Sequence, residues 1–292
     1  MSFSIPHLIS LVRPHQYIKN LFIFTPMFFV GKISEMEILL QAVIAFIAFC
    51  FCASGIYILN DLQDIESDQL HPKKKHRPLA TGAIEKKMAL ALMGCLFALG
   101  FTGMGFLSVQ ALAFLGAYVV LNIAYSFYIK HIAILDVFTI AIGFVLRLYV
   151  GSDVTGVPLS MWIVIMTFLL ALFMALAKRR DDVLLYLDTG QKMRKVIDGY
   201  TLQLIDGAML IMASVVIVSY LLYATSAEVV LRLGNDHLYL TTAFVILGIM
   251  RYLQITFVLK DSGSPTKIVL KDRFMQLTIS AWVCAFGWII YS

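Results

Sequence analysis

The sequence predicts an all-α integral membrane protein, and three observations lead to that fold class. Hydrophobic residues make up 60% of the 292 residues and charged residues only 14%, whereas an average soluble domain carries about 25% charged residues. The mean hydropathy is +0.86. The apolar stretches are about 20 residues long, the length of a membrane-spanning helix rather than of a barrel strand. Because no long polar segment separates them, we expect one integral membrane domain over residues 1–292.

Nine apolar stretches are long enough to be spanning helices. In chain order they cover residues 16–31, 37–60, 86–106, 109–129, 133–151, 160–178, 204–225, 237–259 and 272–291. We expect no cleavable signal peptide, because Pro14, His15 and Lys19 interrupt the first stretch. The four cysteines lie in apolar stretches without the spacing of a zinc site, and no nucleic-acid-binding motif is present.

Lysine and arginine are distributed asymmetrically between the predicted connections. The connections on one side carry most of them, including the basic segments 73–77, 86–87, 178–180 and 192–195, whereas the other side carries only Lys32 and Arg232. Positive residues accumulate on the cytoplasmic side of membrane proteins. We therefore expect the long connections 60–86 and 179–203, and the chemistry that they carry, to face the cytoplasm.

Four polar residues follow one another at the end of the second predicted helix: Asn60, Asp61, Asp64 and Asp68. The three aspartates are spaced i, i+3 and i+7, so a continuing helix places them on one face. Three like charges on one face repel, and a divalent cation relieves that repulsion. Carboxylate oxygens are the ligands that Mg²⁺ prefers, and the ion is usually coordinated by protein carboxylates and substrate phosphates together. The alternative is that the aspartates only end the helix and the lysines after them only set topology.

Several cationic or polar residues near the predicted cytoplasmic face are candidates for binding phosphate. They are Lys19 in the first helix, Arg77 in the first long connection, Tyr125 and Lys130 at the end of the fourth helix, Arg147 in the fifth helix, Lys178, Arg179 and Arg180 after the sixth helix, and Arg194 further on. For most of them the alternative is anchoring at the membrane surface. An arginine inside a membrane helix usually has a functional role. The alternative hypothesis for Arg147 is a structural role, in which it pairs with a buried acid or carbonyl.

The run Asn60-Asp61-x-x-Asp64-x-x-x-Asp68 resembles the first aspartate-rich motif of the UbiA-type intramembrane prenyltransferase superfamily. The Arg77-Pro78 segment, Tyr125-Ser126 with Lys130, and the Leu135-Asp136 start of the fifth helix are also similar to that superfamily. The resemblance covers nearly the whole chain. It implies nine transmembrane helices around a central cavity, with metal and diphosphate bound at the cytoplasmic end.

One departure from the superfamily pattern narrows the resemblance. Prenyl-diphosphate transferases of this superfamily usually carry a second D-x-x-x-D cluster after the sixth helix, where this chain has Lys178-Arg179-Arg180-Asp181-Asp182. The chain is instead similar to the polyprenyl-phosphate phosphoribosyltransferase branch, in segments around Lys19, Arg147 and Arg194. That branch transfers phosphoribose from 5-phosphoribosyl 1-diphosphate (PRPP) to a polyprenyl phosphate.

The resemblance implies a role for each candidate residue. Asp61 and Asp64 would hold Mg²⁺ on the diphosphate, with Asn60 and Asp68 in support. Lys19, Arg77, Tyr125 and Lys130 would line the donor site, Arg147 would bind substrate, and Lys178, Arg179, Arg180 and Arg194 would hold the lipid phosphate or the 5-phosphate. A phosphate monoester is largely dianionic at pH 7, its second pKa being about 6, so no strong general base is required.

Two other functions are compatible with parts of the sequence. A prenyl-diphosphate:aromatic prenyltransferase of the same fold would explain the first aspartate motif but not the missing second one. A transporter of an anionic metabolite would require charges near the bilayer midplane, whereas nearly all charges here lie at one predicted surface. The phosphoribosyltransferase hypothesis also implies that the protein lies in a bacterial inner membrane. It is compatible with a homo-oligomer.

Overall fold

The structure is a computed structural model that describes residues 5–70, 74–190, 195–259, 268–269 and 271–291. In this part of the chain, eight helices are long and apolar enough to cross a membrane. This confirms the helical membrane fold, but the count of nine spans is not confirmed. The first predicted span, 16–31, forms a 3-10 helix, Pro14–Phe24, followed by the five-residue α-helix Thr25–Phe29. Prolines at positions 14 and 26 explain why no long α-helix forms here, since proline removes a backbone donor.

The α-helices of the described residues are labelled in chain order. They are α1 Ile5–Val12, α2 Thr25–Phe29, α3 Met36–Gln63, α4 Ile65–Leu70, α5 Lys86–Leu107, α6 Val109–Phe127, α7 Leu135–Thr155, α8 Met161–Thr189, α9 Leu202–Thr225, α10 Ala227–Leu233, α11 Thr242–Phe257 and α12 Arg273–Tyr291. Short 3-10 helices cover Pro14–Phe24, Lys74–His76, Ile129–His131, Lys195–Gly199 and His237–Thr241.

Two predicted boundaries differ from the structure in ways that affect the candidate site. Helix α3 continues three residues past the predicted end at 60, and α8 continues eleven residues past the predicted end at 178. Helix α8 ends at Thr189, and the next residue, Gly190, has a φ of 67°, in the left-handed region that glycine adopts without strain. Arg179 and Arg180 therefore belong to a helix, and the prediction that they lie in a loop is wrong.

Two compact units make up the chain. The first contains Met1–Tyr128 and Leu146–Leu159, and the second contains Ile129–Val145 and Ser160–Ser292. Helix α7 thus contributes its first turns to the second unit and its last turns to the first. The expectation of one catalytic domain stays a prediction.

Helix α3 organises the first unit. It packs against α5, α6 and the 3-10 helix Pro14–Phe24. A Cβ atom at Gly100 of α5 would lie 2.7 Å from the carbonyl oxygen of Ala48 and against the sulfur of Cys52, so only glycine permits this close approach of the two helices. Likewise, a Cβ atom at Gly151 of α7 would collide with the backbone of Ile23, which brings the end of α7 directly onto the 3-10 helix.

The second unit is built around the pairing of α8 with α9, and α11 packs against both α9 and α12. Its core contains Phe173 of α8, Ile205 and Met209 of α9, and Tyr252 of α11. The rings of Phe173 and Tyr252 lie 5.2 Å apart, centre to centre. This packing holds the C-terminal extension of α8, with its charged residues, as a continuous part of the helix.

Candidate active site

The aspartate segment is a helix that is interrupted at Asp64. Helix α3 ends at Gln63, Asp64 has φ −94° and ψ 11°, and α4 begins at Ile65. The expectation of one continuing helix is therefore wrong at this position. The backbone N–H of Asp64 still donates to the Asn60 carbonyl (3.0 Å), and that of Asp68 donates to the Asp64 carbonyl (2.7 Å). The helical spacing of the aspartates is thus preserved through the interruption.

Asp61 and Asp68 are joined by one arginine. The Arg77 Nη1 atom donates to Oδ1 of Asp61 at 2.9 Å and to Oδ2 of Asp68 at 2.6 Å. Lys74 Nζ lies 3.9 Å from Oδ1 of Asp68. Both carboxylates are 2% exposed, while the Arg77 side chain is 25% exposed. Because buried carboxylates require compensation, Arg77 balances two of the three aspartates at once.

Arg13 is a second partner of Asp61, and the sequence prediction did not assign it this role. Its guanidinium donates to Oδ1 of Asp61 and lies 5.3 Å from the ring centre of Tyr57. Arg13 adopts a left-handed conformation (φ 56°, ψ 58°) directly before Pro14. Burial lowers the pKa of Arg13 and the Asp61 carboxylate acts in the opposite direction, but a guanidinium stays charged in either case. The sequence signal was its place in the polar segment 13–20, which is similar to the phosphoribosyltransferase branch.

Asn60 and Tyr125 lie in the same unit as the aspartates. The Ser126 hydroxyl is within hydrogen-bond distance of the Asn60 side-chain oxygen and donates to the Asn122 carbonyl (2.7 Å). Helix α6 therefore fixes the amide of Asn60 beside Asp61. Tyr125, the residue before Ser126, is partly buried on the same helix.

The carboxylates have the chemistry that a hard divalent cation needs. Asp61 and Asp64 are one helical turn apart, and within the described residues both hydrogen bonds to Asp61 go to Oδ1 and none to Oδ2. In the same part of the chain, no group of three or more His, Cys, Asp or Glu side chains converges. Mg²⁺ does not need such a group, since it binds through one or two carboxylates, waters and substrate phosphates. The residues present fit Mg²⁺ in that mode.

A second polar cluster in the first unit surrounds Arg147. Its Nε donates to the Asn20 side-chain oxygen (2.8 Å) and its Nη2 to the Tyr118 hydroxyl (3.2 Å). The guanidinium lies 5.0 Å from the ring centre of Phe49 and 4.8 Å from that of Tyr118. Arg147 is 4% exposed. These contacts are structural partners of the kind that the sequence left as an alternative for Arg147, and they include a side-chain amide and a phenol.

In the second unit, Arg179 is buried among carboxylates. Its Nε donates to Oδ2 of Asp136 and its Nη1 donates to Oδ2 of Asp182 (2.8 Å). Arg179 and Asp136 are 1% and 0% exposed. The Tyr200 hydroxyl donates to the other oxygen of Asp136 (2.6 Å) and accepts from the backbone N–H of Ile134 (2.8 Å). The charge of Arg179 is therefore compensated inside the protein.

Arg180 is also engaged by the protein. Its Nε donates to Asp206 of α9 (2.7 Å) and its Nη1 to the Thr256 carbonyl of α11 (2.9 Å). The guanidinium lies 5.1 Å from the ring centre of Phe257. The sequence presented three adjacent cations, but only Lys178 of these is exposed. No local sequence pattern indicated these long-range acidic partners.

Three predicted site residues remain, Lys130, Lys19 and Arg194. Lys130 belongs to the 3-10 helix Ile129–His131 and is partly buried. Lys19 is partly buried in the 3-10 helix Pro14–Phe24. Arg194 lies outside the described residues. The structure thus brings Asn60, Asp61, Asp68 and Arg77 together in the first unit.

The fold and this site define a helical integral membrane protein with an acidic cluster suited to a divalent cation. The chain belongs to the UbiA prenyltransferase family, whose model matches residues 21–289.

Similar proteins of known name support the same family. The decaprenyl-phosphate phosphoribosyltransferase of Mycolicibacterium smegmatis is 33% identical, over 97% of this chain and 92% of that protein. The protein of the same name from Corynebacterium glutamicum is 31% identical, over 97% and 86%. Among solved structures, a UbiA homologue from Archaeoglobus fulgidus bound to GPP and Mg²⁺ matches with a TM-score of 0.73 at 20% identity, over 98% of this chain and 100% of that one. The last similarity shows the fold alone.

Proposed function

We propose that the protein transfers the phosphoribosyl group of PRPP to a polyprenyl phosphate and releases diphosphate. The observation that carries this proposal is the similarity, over 97% of the chain, to two decaprenyl-phosphate phosphoribosyltransferases. The described geometry is compatible with it. The first unit has an acidic cluster for one metal-bound diphosphate, whereas the arginines of α8 that occupy the place of a second acidic cluster are paired with aspartates.

Asp61 and Asp64 are the residues that would hold Mg²⁺. The ion, when bound, would neutralise the charge of the diphosphate as it leaves the anomeric carbon. Asp68 supports the site through Arg77, and Asn60 does so through Ser126. A solved UbiA homologue with GPP also contains Mg²⁺, which supports the proposal of a metal-dependent site in this chain.

Cationic residues of the site would position the substrates. Arg77 and Arg13 are partly exposed, so they can turn from the carboxylates toward phosphate oxygens without leaving a deeply buried position. Lys130 would act as a point charge on the leaving diphosphate. Lys178 and Arg194 are the candidates near the second unit for further contacts to phosphate.

The attacking group is an oxygen of the lipid phosphate. It is already largely ionised at pH 7, since the second pKa of a phosphate monoester is about 6. The chain therefore has to orient the two substrates and exclude water rather than remove a proton. The polyprenyl chain would lie along an apolar surface open to the bilayer, in a bacterial plasma membrane, with the phosphate at the cytoplasmic face.

The test is a reconstitution of the purified protein with PRPP, Mg²⁺ and a polyprenyl phosphate. We expect diphosphate release that requires both substrates and the metal, and a lipid product whose mass has increased by one phosphoribosyl group. Prenyl transfer from a prenyl diphosphate to an aromatic acid, with no product from PRPP, would instead establish the other activity of this fold.

A further inference from the structure

A row of three side chains on α3 meets the segment that connects α1 to the 3-10 helix Pro14–Phe24. Ser54, Tyr57 and Asp61 are spaced i, i+3 and i+7, so they lie on one face of α3. The row begins at Ser54, which is fully buried, and ends at the aspartate cluster. Ser54 and Asp61 are seven positions apart, which corresponds to roughly 10 Å along the helix axis.

Ser54 holds the connecting segment with two hydrogen bonds. Its hydroxyl donates to the carbonyl oxygen of Val12, the last residue of α1, at 2.9 Å, and its oxygen lies 2.9 Å from the hydroxyl of Tyr17. Because a serine hydroxyl has one proton to donate, the Tyr17 hydroxyl is the donor of the second bond. Leu11 is buried in a core cluster that includes residues of α3. The segment is therefore fixed to α3 on both sides of Arg13.

Arg13 lies between these two contacts in a conformation that arginine rarely adopts. Its φ of 56° and ψ of 58° are left-handed, where the Cβ atom of any residue crowds the backbone. The following residue, Pro14, restricts Arg13 further, because the residue before a proline favours extended conformations. The N–H of Arg13 donates to the Ile9 carbonyl (3.1 Å), and its carbonyl accepts from the N–H of Gln16 (2.9 Å). A strained residue of this kind persists only where its surroundings hold it in place.

The side chain of Arg13 reaches the other end of the row on α3. Its guanidinium lies 5.3 Å from the ring centre of Tyr57 and donates to Oδ1 of Asp61. The backbone is thus held at Ser54 while the guanidinium lies at the aspartate cluster. Since the backbone angles of Arg13 set the direction of its Cα–Cβ bond relative to the fixed segment, relaxation to an ordinary conformation would redirect the side chain.

We propose that Ser54 and Tyr17 are positioning residues, which hold Arg13 in its left-handed conformation and so keep its guanidinium in place for a metal-bound diphosphate. The proposal rests on the part of the proposed function that places a diphosphate at the aspartate cluster. The Arg13 side chain is 19% exposed, so it can exchange Asp61 for a phosphate oxygen by side-chain rotation alone. A binding group whose backbone is fixed before the ligand arrives lowers the ordering cost of binding.

The first measurement concerns strain and needs neither metal nor substrate. Arg13→Gly and Arg13→Ala both remove the guanidinium, but only glycine adopts the left-handed conformation without strain. We expect Arg13→Gly to melt at a higher temperature than Arg13→Ala in metal-free buffer. The difference should shrink when Ser54→Ala is added to both, because the backbone can then relax. An equal or lower melting temperature of Arg13→Gly, or a difference that does not depend on Ser54, would overturn the inference.

The second measurement is the binding of inorganic diphosphate in the presence of Mg²⁺. This probe is the leaving group of both activities considered for the fold, so it does not depend on the donor. Ser54→Ala should lower the affinity about threefold to tenfold, the range for one lost hydrogen bond, and Tyr17→Phe should lower it too. Ser152→Ala is the matched control. It also removes a hydrogen bond from a serine to a carbonyl, that of Val157 (2.6 Å), and should leave the affinity unchanged.

A double-mutant cycle separates positioning from a general structural role. If Ser54 acts through Arg13, Ser54→Ala should cause no further loss of diphosphate affinity in the Arg13→Ala variant. An equal loss with and without Arg13 would overturn the inference, and so would unchanged binding in both Ser54→Ala and Tyr17→Phe. Tyr17→Phe keeps the hydrogen bond from Ser54 to Val12, so it takes the place of Ser54→Ala in the cycle if that variant does not fold.

The inference and the proposed function can fail separately. Diphosphate binding that depends on Ser54, in a protein that uses a prenyl diphosphate instead of PRPP, would support the inference and refute the proposed function. Turnover of PRPP, with diphosphate binding that is independent of Ser54 and Tyr17, would do the reverse.

Discussion

Two clusters of aspartate and arginine in this protein have the same chemistry and different burial. In the first unit, Arg13 and Arg77 pair with Asp61 while keeping 19% and 25% of their side chains exposed. In the second unit, Arg179 pairs with Asp136 and only 1% of its side chain is exposed. An arginine at the surface can exchange a carboxylate for a ligand, because water compensates both groups during the exchange. A fully buried one cannot, because breaking the pair leaves an uncompensated charge.

This difference in the exposure of the arginines is a criterion for distinguishing a substrate-binding cluster from a structural one. Both clusters contain adjacent cations beside acids in the sequence, so composition does not separate them. The exposure of the arginine side chains does separate them. By that criterion we expect the arginines near α3 to be available to substrates, whereas Arg179 and Arg180 of α8 connect helices.

The largest effect is expected from removing the buried arginine of the second unit. Arg179→Gln should lower the free energy of unfolding by about 3 to 5 kcal/mol, because it leaves Asp136 buried without its counter-charge. The sequence alone predicted mainly a loss of substrate binding for Arg179 and Arg180. Unfolding of variants in detergent measures the change, and adding Asp136→Asn to Arg179→Gln should recover part of it. If Arg179→Gln left the stability unchanged and raised the Michaelis constant, the structural role would be wrong and Arg179 would bind substrate.

The corresponding change in the first unit should affect activity instead of folding. Asp61→Asn should reduce turnover by at least about a hundredfold, because an amide is a poorer ligand than a carboxylate for a hard cation. Metal-free thermal unfolding should change little. Asp188→Asn, at an exposed site near the end of α8, is the matched control. Activity of Asp61→Asn close to the wild type in Mg²⁺ would mean that the metal assignment is wrong.

A smaller effect is expected at the hydroxyl that supports the buried pair. Tyr200→Phe removes the hydrogen bond to Asp136 and should cost about 1 to 3 kcal/mol of stability, the usual range for a buried partner left unsatisfied. Burial and the Asp136 carboxylate both raise the pKa of Tyr200, so the phenol stays protonated and the effect should be independent of pH between 6 and about 9. A stability loss that appears only above neutral pH would show that the phenol ionises.

The smallest effect concerns the side of the membrane on which each cluster lies. Single cysteines introduced for labelling should leave activity and stability unchanged and should report only that side. Cysteines introduced at Ser67, beside the first cluster, and at Asp188, beyond the second, should both react from the cytoplasmic side. A cysteine at Asn235 should react from the other side. This follows from the Lys/Arg asymmetry of the connections. Reaction of positions 67 and 188 from opposite sides would exclude a shared cytoplasmic face for the two clusters.

The sequence by itself determined the membrane class, most of the spanning helices and the importance of the aspartate segment. These features depend on hydropathy over about 20 residues and on spacings within two helical turns, which can be read along the chain. It also identified Arg77 as a neighbour of that segment, since only nine residues separate it from Asp68.

Only the tertiary structure decided what each charge does. Arg13 meets Asp61 across 48 positions, Arg179 meets Asp136 across 43, and Arg147 meets Asn20 across 127. Such pairs depend on which helix faces pack together, for example where Gly100 of α5 lies against α3, and no local pattern records that choice. Burial then decides whether a cation is a structural partner or is available to a substrate, because the cost of separating two charges rises as water is excluded.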